Sequence, residues 1–325
     1  MKPLVLPPNQ FHRFYRGGAR IDALRGLPAG EDGRPEDWIG STATTFGHDT
    51  EGLSRLQDGR VLRDLVRAEP EAFLGREHVE RWGAEPALLV KLLDAGERLP
   101  VHLHPGRRFA REHLGLRFGK TEAWLILEAD PGAAVHVGTT RPLDRATLRE
   151  WVVRQDADEM LAAMHRVAVG AGDAILVPAG TLHAIGAGIL LLELQEPTDL
   201  SVLLEWRRFG VRDGSEHLRL GWDRALEAVD GGVGDPARLV RSPAGSPGAV
   251  AAQLPAAADD YFRAERLRPA LGAVALEASF AVLVVTGGEG TLRTERGDAL
   301  ALRRGTTVLV PHAAGRTGLE GTVDA

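Results

Sequence analysis

Apolar and polar positions change period several times along this chain, and each change marks an element. Val101–His102–Leu103–His104 alternates, which predicts a strand with both imidazoles on one face. Leu88 to Leu93 is an apolar run of strand length, interrupted only by Lys91 and followed by the turn signal Asp94–Ala95–Gly96. Thr121 to Leu127, Asp173 to Val177 and Ile189 to Leu194 read as further strands. Helical spacing occupies residues 53 to 83, beginning with Leu53, Leu56, Val61, Leu62, Leu65 and Val66. Pro70 fits the start of the next short helix, with Phe73 and Leu74 on its buried side. Arg107 to Leu114 reads as a helical insertion between two strands. From Asp144 to Met164 the pattern is the most clearly helical, with Asp144 as cap and Gln155 to Asp158 dividing it into two helices.

The ends of the chain are less regular. Residues 1 to 60 are rich in Gly, Pro and Arg, with short strands expected around Phe14–Gly18 and Asp37–Ser41; Glu36 reads as a solvated loop acid. From about 210 to 265 the composition turns to Gly, Ala, Asp and Pro, which suggests a crossover and linker with one helical piece at Arg224–Val229. Beyond it, Gly305–Thr–Thr–Val–Leu–Val–Pro311 echoes Gly172–Asp–Ala–Ile–Leu–Val–Pro178, but Arg316 falls where His183 would be matched, and His312 reads as structural.

Composition narrows the classes. At 325 residues with 44% hydrophobic content, the chain is too long for one small barrel and suggests two domains, or one enlarged one, with ample core. A net charge of −6 and the lack of any basic run argue against a nucleic-acid partner. With no cysteine, disulfides and thiolate metal sites are excluded, so any metal must take N and O ligands. The opening Met–Lys–Pro–Leu–Val–Leu–Pro–Pro is broken by prolines before it could act as a secretion signal, and no run approaches the ~18–20 apolar residues of a membrane span. The expectation is a cytoplasmic protein with no membrane partner, a monomer or small homo-oligomer.

Two neutral imidazoles on one strand face, joined by a carboxylate from the next strand, form most of a divalent-metal site. His183, just past the turn Pro178–Ala179–Gly180, supplies the missing ligand. His102, His104, Glu122 and His183 therefore make a candidate set of three histidines and one carboxylate; His113, His136 and His165 read as ordinary core or surface residues. Lys120 shares the strand face of Glu122, where a cation suits an anionic substrate, although a lysine at a strand entrance can equally point to solvent. Glu193 stands in a run so apolar that burying its charge without a partner would be costly, which favours a functional role over a place on the strand's solvent face.

Gly96-x5-His102-x-His104 and Gly172-x5-Pro178-x-Gly180-x2-His183 resemble the two signature motifs of the cupins, small β-barrels that bind a metal inside. The insertion at 105–119 followed by Gly119–Lys120–Thr121–Glu122 resembles the type I phosphomannose isomerases. That resemblance implies a mainly β jelly-roll bicupin with a helical insertion. It divides the chain into a catalytic cupin domain at 1–210, a crossover at 211–265 and a metal-free cupin-like domain at 266–325. It also implies zinc, with manganese or iron as alternatives, and a sugar phosphate as the small-molecule partner. The implied reaction of carbohydrate metabolism is the interconversion of mannose 6-phosphate and fructose 6-phosphate, with Glu193 as general base and Lys120 holding a substrate oxygen or anionic group. Other readings are a different metal-dependent cupin sugar enzyme and a non-catalytic sugar-binding cupin. The family's Glu-x-Trp segment corresponds to Glu36–Asp37–Trp38. Its Gln ligand corresponds to His102, and the Ser before that strand to Pro100. Its catalytic Arg, after a Ser-Asp pair, would stand at Leu203; Arg207, or Arg208, is the candidate substitute.

Overall fold

The computed structural model describes residues 1–242 and 248–325. Thirteen strands concern the first barrel and the N-terminal crossing: β1 (Leu4–Val5), β2 (Gln10–Phe11), β3 (Glu36–Ile39), β4 (Leu89–Ala95), β5 (His102–Leu103), β6 (Glu122–Ala129) and β7 (Ala134–Thr139) come first. β8 (Met164–Ala168), β9 (Ala174–Val177), β10 (His183–Ile185), β11 (Ile189–Gln195), β12 (Val202–Leu203) and β13 (Val240–Arg241) complete the set. The twelve strands β2 to β13 build a seven-stranded sheet in the order β13-β9-β6-β11-β4-β3-β2 and a five-stranded sheet in the order β12-β5-β10-β7-β8. All their pairings are antiparallel, and the two sheets face each other as in a jelly roll.

Burial follows strand alternation. On β4 and β11, Val90, Leu92 and Leu190 pack outward against Leu62, Val66 and Phe73 and against Val284 and Leu309 from the C-terminal part of the chain. Leu93, Ala95, Ile189 and Leu191 pack inward with Trp124. The register sets Glu193 of β11 between Trp124 of β6 and Lys91 of β4, and Lys91 opposite Trp38 of β3. Three charged residues on one sheet, Glu36, Lys91 and Glu193, are thus buried near one another although two of them stand alone in apolar sequence.

The helical insertion is Arg107–Leu114, as the periodicity predicts, and it ends at Gly115 in the left-handed region. At its far end Gly119 lies so close to the chain that a Cβ there would be 2.6 Å from the carbonyl oxygen of Pro105. That approach lets the Lys120 amide donate to the same carbonyl at 3.0 Å, closing the insertion at the foot of β6. Asp144 caps the helix Arg145–Arg154 by accepting from the Thr147 amide, and Gln155, at φ 58°, separates it from Ala157–Ala162.

Several local expectations are corrected. The helix expected from Leu53 begins only at Leu62, because the chain turns at Asp58–Gly59 and Arg55 bridges Val61. Phe14–Gly18 is not a strand; Gln10–Phe11 pairs with Glu36–Asp37 instead, and Arg13 and Tyr15 are held by side-chain bonds rather than a ladder. The 211–265 segment contributes β13 to the first barrel's sheet edge, while its residues 243–247 lie outside the described residues.

The C-terminal sandwich packs strands Ala281–Val284 and Thr307–Val310 against a four-stranded sheet formed from residues 274–321, around Val285, Leu292, Val308 and Leu319. β1 joins it from the other end of the chain, with Leu4 opposite Leu309. Arg316 is exposed and pairs with Glu277 at 2.9 Å.

Candidate metal centre

His102 lies on β5, His104 just beyond it and His183 at the start of β10, with His102 and His183 directly paired across the strands. The turn that delivers His183 depends on Gly180, at φ 88°, whose amide donates to the His104 carbonyl at 2.7 Å. Facing them from the opposite sheet is Glu122, the first residue of β6. All four side chains are buried.

The imidazole tautomers follow from their partners. Nδ1 of His102 meets the Pro100 carbonyl at 2.8 Å, Nδ1 of His104 the Leu200 carbonyl at 2.7 Å, and Nδ1 of His183 the Thr181 carbonyl at 2.8 Å. A carbonyl only accepts, so each Nδ1 carries the proton and each Nε2 keeps a lone pair. Nε2 of His104 and Nε2 of His183 stand 3.2 Å apart, and Glu122 oxygens lie 3.0 Å from the former and 3.4 Å from the latter. The three histidines form a buried group able to hold a metal ion. Burial holds His104 and His183 down to about 3 and His102 well below its ordinary value, so the rings are neutral at neutral pH, as ligation requires. Converging lone pairs repel one another unless a cation or proton lies between them, and backbone carbonyls behind metal-ligating histidines are a recurrent support. The residues therefore fit a divalent ion.

Lys120 is buried beside this group, its Nζ 2.7 Å from Glu122 Oε2 and 2.8 Å from His104 Nε2, so it does not point to solvent. Glu193 Oε1 is 3.6 Å from the same ammonium and 3.5 Å from that of Lys91, yet it is buried with no hydrogen bond. Burial, with help from the charges of Glu122 and Glu36, pushes the Glu193 carboxyl above the usual carboxylate range against the pull of Lys91 and Lys120.

Glu36 is not a solvated loop acid. It is 3% exposed and accepts from Tyr15 Oη at 2.5 Å, Trp38 Nε1 at 2.6 Å and Arg13 Nε at 3.1 Å, with Lys91 Nζ at 3.4 Å. Burial alone would raise its carboxyl, but the charges of Arg13 and Lys91 and the Tyr15 and Trp38 hydrogen bonds outweigh it and hold the group well below the usual range. Arg207 is the other correction: it is exposed on a 3-10 turn, stacked near Trp206, and reaches the Val153 carbonyl rather than the cleft. Arg208 is also exposed, near Glu97. The turn's backbone is tied to Gln155 Oε1, which carries both arginines over the outer surface.

Glu36, Lys91, His102, Lys120, Glu122 and Glu193 form the floor of a cleft of about 420 Å³, walled by residues such as Phe14, Phe46, Leu203 and Phe209. Sequence reasoning missed Arg13, Tyr15, Lys91 and Asp199 as part of it. Lys91 carried the same signal as Glu193, a lone charge in an apolar strand, and Asp199 stands with Thr198 where the family's Ser-Asp pair falls; Arg13 and Tyr15 carried none.

A jelly-roll bicupin with a buried histidine and carboxylate centre in its first barrel is the class that this fold and site define. No family model matches the chain. It is 34% identical over 202 residues to the mannose-6-phosphate isomerase of Streptococcus mutans, spanning 61% of this chain and 58% of that protein. It is 32% identical over 238 residues to the mannose-6-phosphate isomerase ManA of Bacillus subtilis, spanning 70% of this chain and 68% of that protein. The chain belongs to the mannose-6-phosphate isomerase family. The fold is shared along its length with the crystal structure of the Bacillus subtilis mannose 6-phosphate isomerase, at a TM-score of 0.77 and 22% identity, covering 100% of this chain and 98% of that one. It is also shared with a mannose 6-phosphate isomerase bound with zinc and yttrium, at a TM-score of 0.73 and 17% identity, covering 99% and 97%. Among the described residues, no helix is long and apolar enough to cross a membrane.

Proposed function

We propose that this chain interconverts mannose 6-phosphate and fructose 6-phosphate, with zinc held by His102, His104, His183 and Glu122. The observation that carries the reading is the set of three Nδ1–H···O=C bonds, which turns three Nε2 lone pairs toward Glu122 at the buried end of a substrate-sized cleft. Such an ion, when bound, supplies Lewis-acid polarisation of the sugar's carbonyl and hydroxyl oxygens.

The chain's own groups supply the rest. Glu193, with one oxygen unbonded and its affinity for a proton raised, removes the proton from C2 of the open-chain aldose and returns it to C1. The hydroxyl proton of O2 is lost as that oxygen becomes the carbonyl, and O1 gains one as the aldehyde becomes an alcohol. Lys120 donates to a substrate oxygen beside Glu122 and offsets its negative charge. Lys91, fixed between Glu36 and Glu193, orients the base. A sugar phosphate as substrate and an N/O ligand set without cysteine accord with a cytoplasmic enzyme.

The test is a coupled assay on mannose 6-phosphate after chelation and after add-back of zinc, manganese or iron(II). Turnover abolished by chelation and restored best by zinc supports the proposal. Absence of turnover in a protein carrying stoichiometric zinc overturns it, and better restoration by manganese or iron(II) overturns the choice of metal.

A further inference from the structure

The cleft floor holds two buried lysines and one partly buried arginine, each tied to carboxylates. Lys91 is shared by Glu36 and Glu193, and Lys120 by Glu122, Glu193 and His104. The third is Arg13, which comes from the irregular segment after β2 and lines the cleft with a side chain 14% exposed. Its Nε–H donates to Glu36 Oε1 at 3.1 Å; Nη1 and Nη2 both reach the Asp199 carboxylate, at 3.2 to 3.4 Å. Four contacts on a group with five N–H hydrogens leave at least one, on Nη1, without a partner.

The guanidinium is held rigidly. Asp199 also accepts from the Phe46 amide at 3.2 Å, and Glu36 is fixed by Tyr15 and Trp38. A planar, permanently charged donor clamped by two carboxylates, Glu36 and Asp199, is preorganised, and it loses little freedom when a substrate oxygen takes the remaining hydrogen. It is linked to the base through consecutive contacts, Arg13 to Glu36, Glu36 to Lys91 and Lys91 to Glu193. Leu203 of β12, paired with His102 of β5, lines the same cleft with only an apolar side chain.

We propose that Arg13 is the substrate-contacting guanidinium of this cleft, donating to the sugar oxygen that gains negative charge as the C2 proton leaves, in place of the arginine that Leu203 cannot supply. The inference rests on the isomerase reading above. The cation reaches the site from a different strand connection, and Asp199 serves as its anchor.

The test uses the zinc-loaded full chain with mannose 6-phosphate. Arg13→Ala leaves Asp199 without its cation and Glu36 with Lys91 alone, and is prone to unfold, so Arg13→Lys, which keeps the charge but not the fork, is measured beside it. Loss of a preorganised donor predicts a fall in kcat of roughly 10²–10³-fold for Arg13→Lys, with KM, zinc content and melting temperature close to those of the parent. Guanidinium ion added to folded Arg13→Ala is expected to raise kcat by about tenfold or more. Activity of Arg13→Lys within about threefold of the parent overturns the inference and leaves the isomerase reading standing. A loss of activity matched by loss of zinc or of folded protein overturns it in favour of a purely structural anchor. An inert parent enzyme overturns both.

Discussion

The ammonium of Lys91 and the carboxylate of Glu193 face each other across the adjacent strands β4 and β11, Nζ 3.5 Å from Oε1, with both side chains 3% exposed. Neither charge is tolerable in that interior alone, since removing one partner of a buried pair leaves the other uncompensated. Lys91 also bridges to Glu36, so one ammonium is shared by two buried carboxylates.

Lys91→Met should therefore destabilise the protein by about 3–5 kcal/mol, as expected for an unpaired buried charge. Adding Glu193→Gln to it should recover part of that loss. Denaturant unfolding of the two single variants and the double variant checks this, and strictly additive losses would show that the pair is not coupled.

Glu193→Gln alone should retain zinc and lose turnover by about 10²–10⁴-fold, the usual contribution of a general base. Metal analysis and the coupled assay on the same preparation separate the two effects. Full activity in the variant removes Glu193 from the chemistry.

His104→Ala should lose metal and activity together, because it deletes one Nε2 from the cluster and opens the contact with Glu122. The expected content falls from about one ion per chain to a small fraction of that at equal free zinc. Unchanged occupancy would sink this ligand assignment.

The Glu36 carboxyl, depressed in the folded state, gives a pH signature. The unfolded group titrates near ~4.3, so its stabilisation is complete above that value and drains away as pH falls below it toward the lower folded value. The gap in unfolding midpoint between the parent and Glu36→Gln should hold steady from neutrality to mildly acid pH. It should then narrow below ~4.3. A gap that widens on acidification would mean that Glu36 is buried in its protonated form.

Much of the first barrel was legible because its signals are local. The alternation Val101–His104, the turn Pro178–Gly180 and the Gly119–Glu122 segment each state a backbone conformation within a few residues, and the structure sets those side chains against one another. Glu36 was misread because the residues around it look like a loop. Its burial is created by Tyr15, Trp38 and Lys91, and only the Trp lies near it in sequence. Arg207 was misread for the opposite reason: closeness in sequence to a motif says nothing about direction once the chain enters a 3-10 turn tied to Gln155.

By itself, then, the sequence determined the strand periods, the helical insertion at Arg107–Leu114 and the chemical types of the metal-centre candidates. Sheet order, register and the partners of buried charge were decided only in the tertiary structure. Arg13 and Asp199 are 186 positions apart and meet in one ion pair. Local backbone preference fixes which face a side chain takes within a few residues of its own position, whereas a buried charge is stabilised by whichever strand the fold sets opposite it.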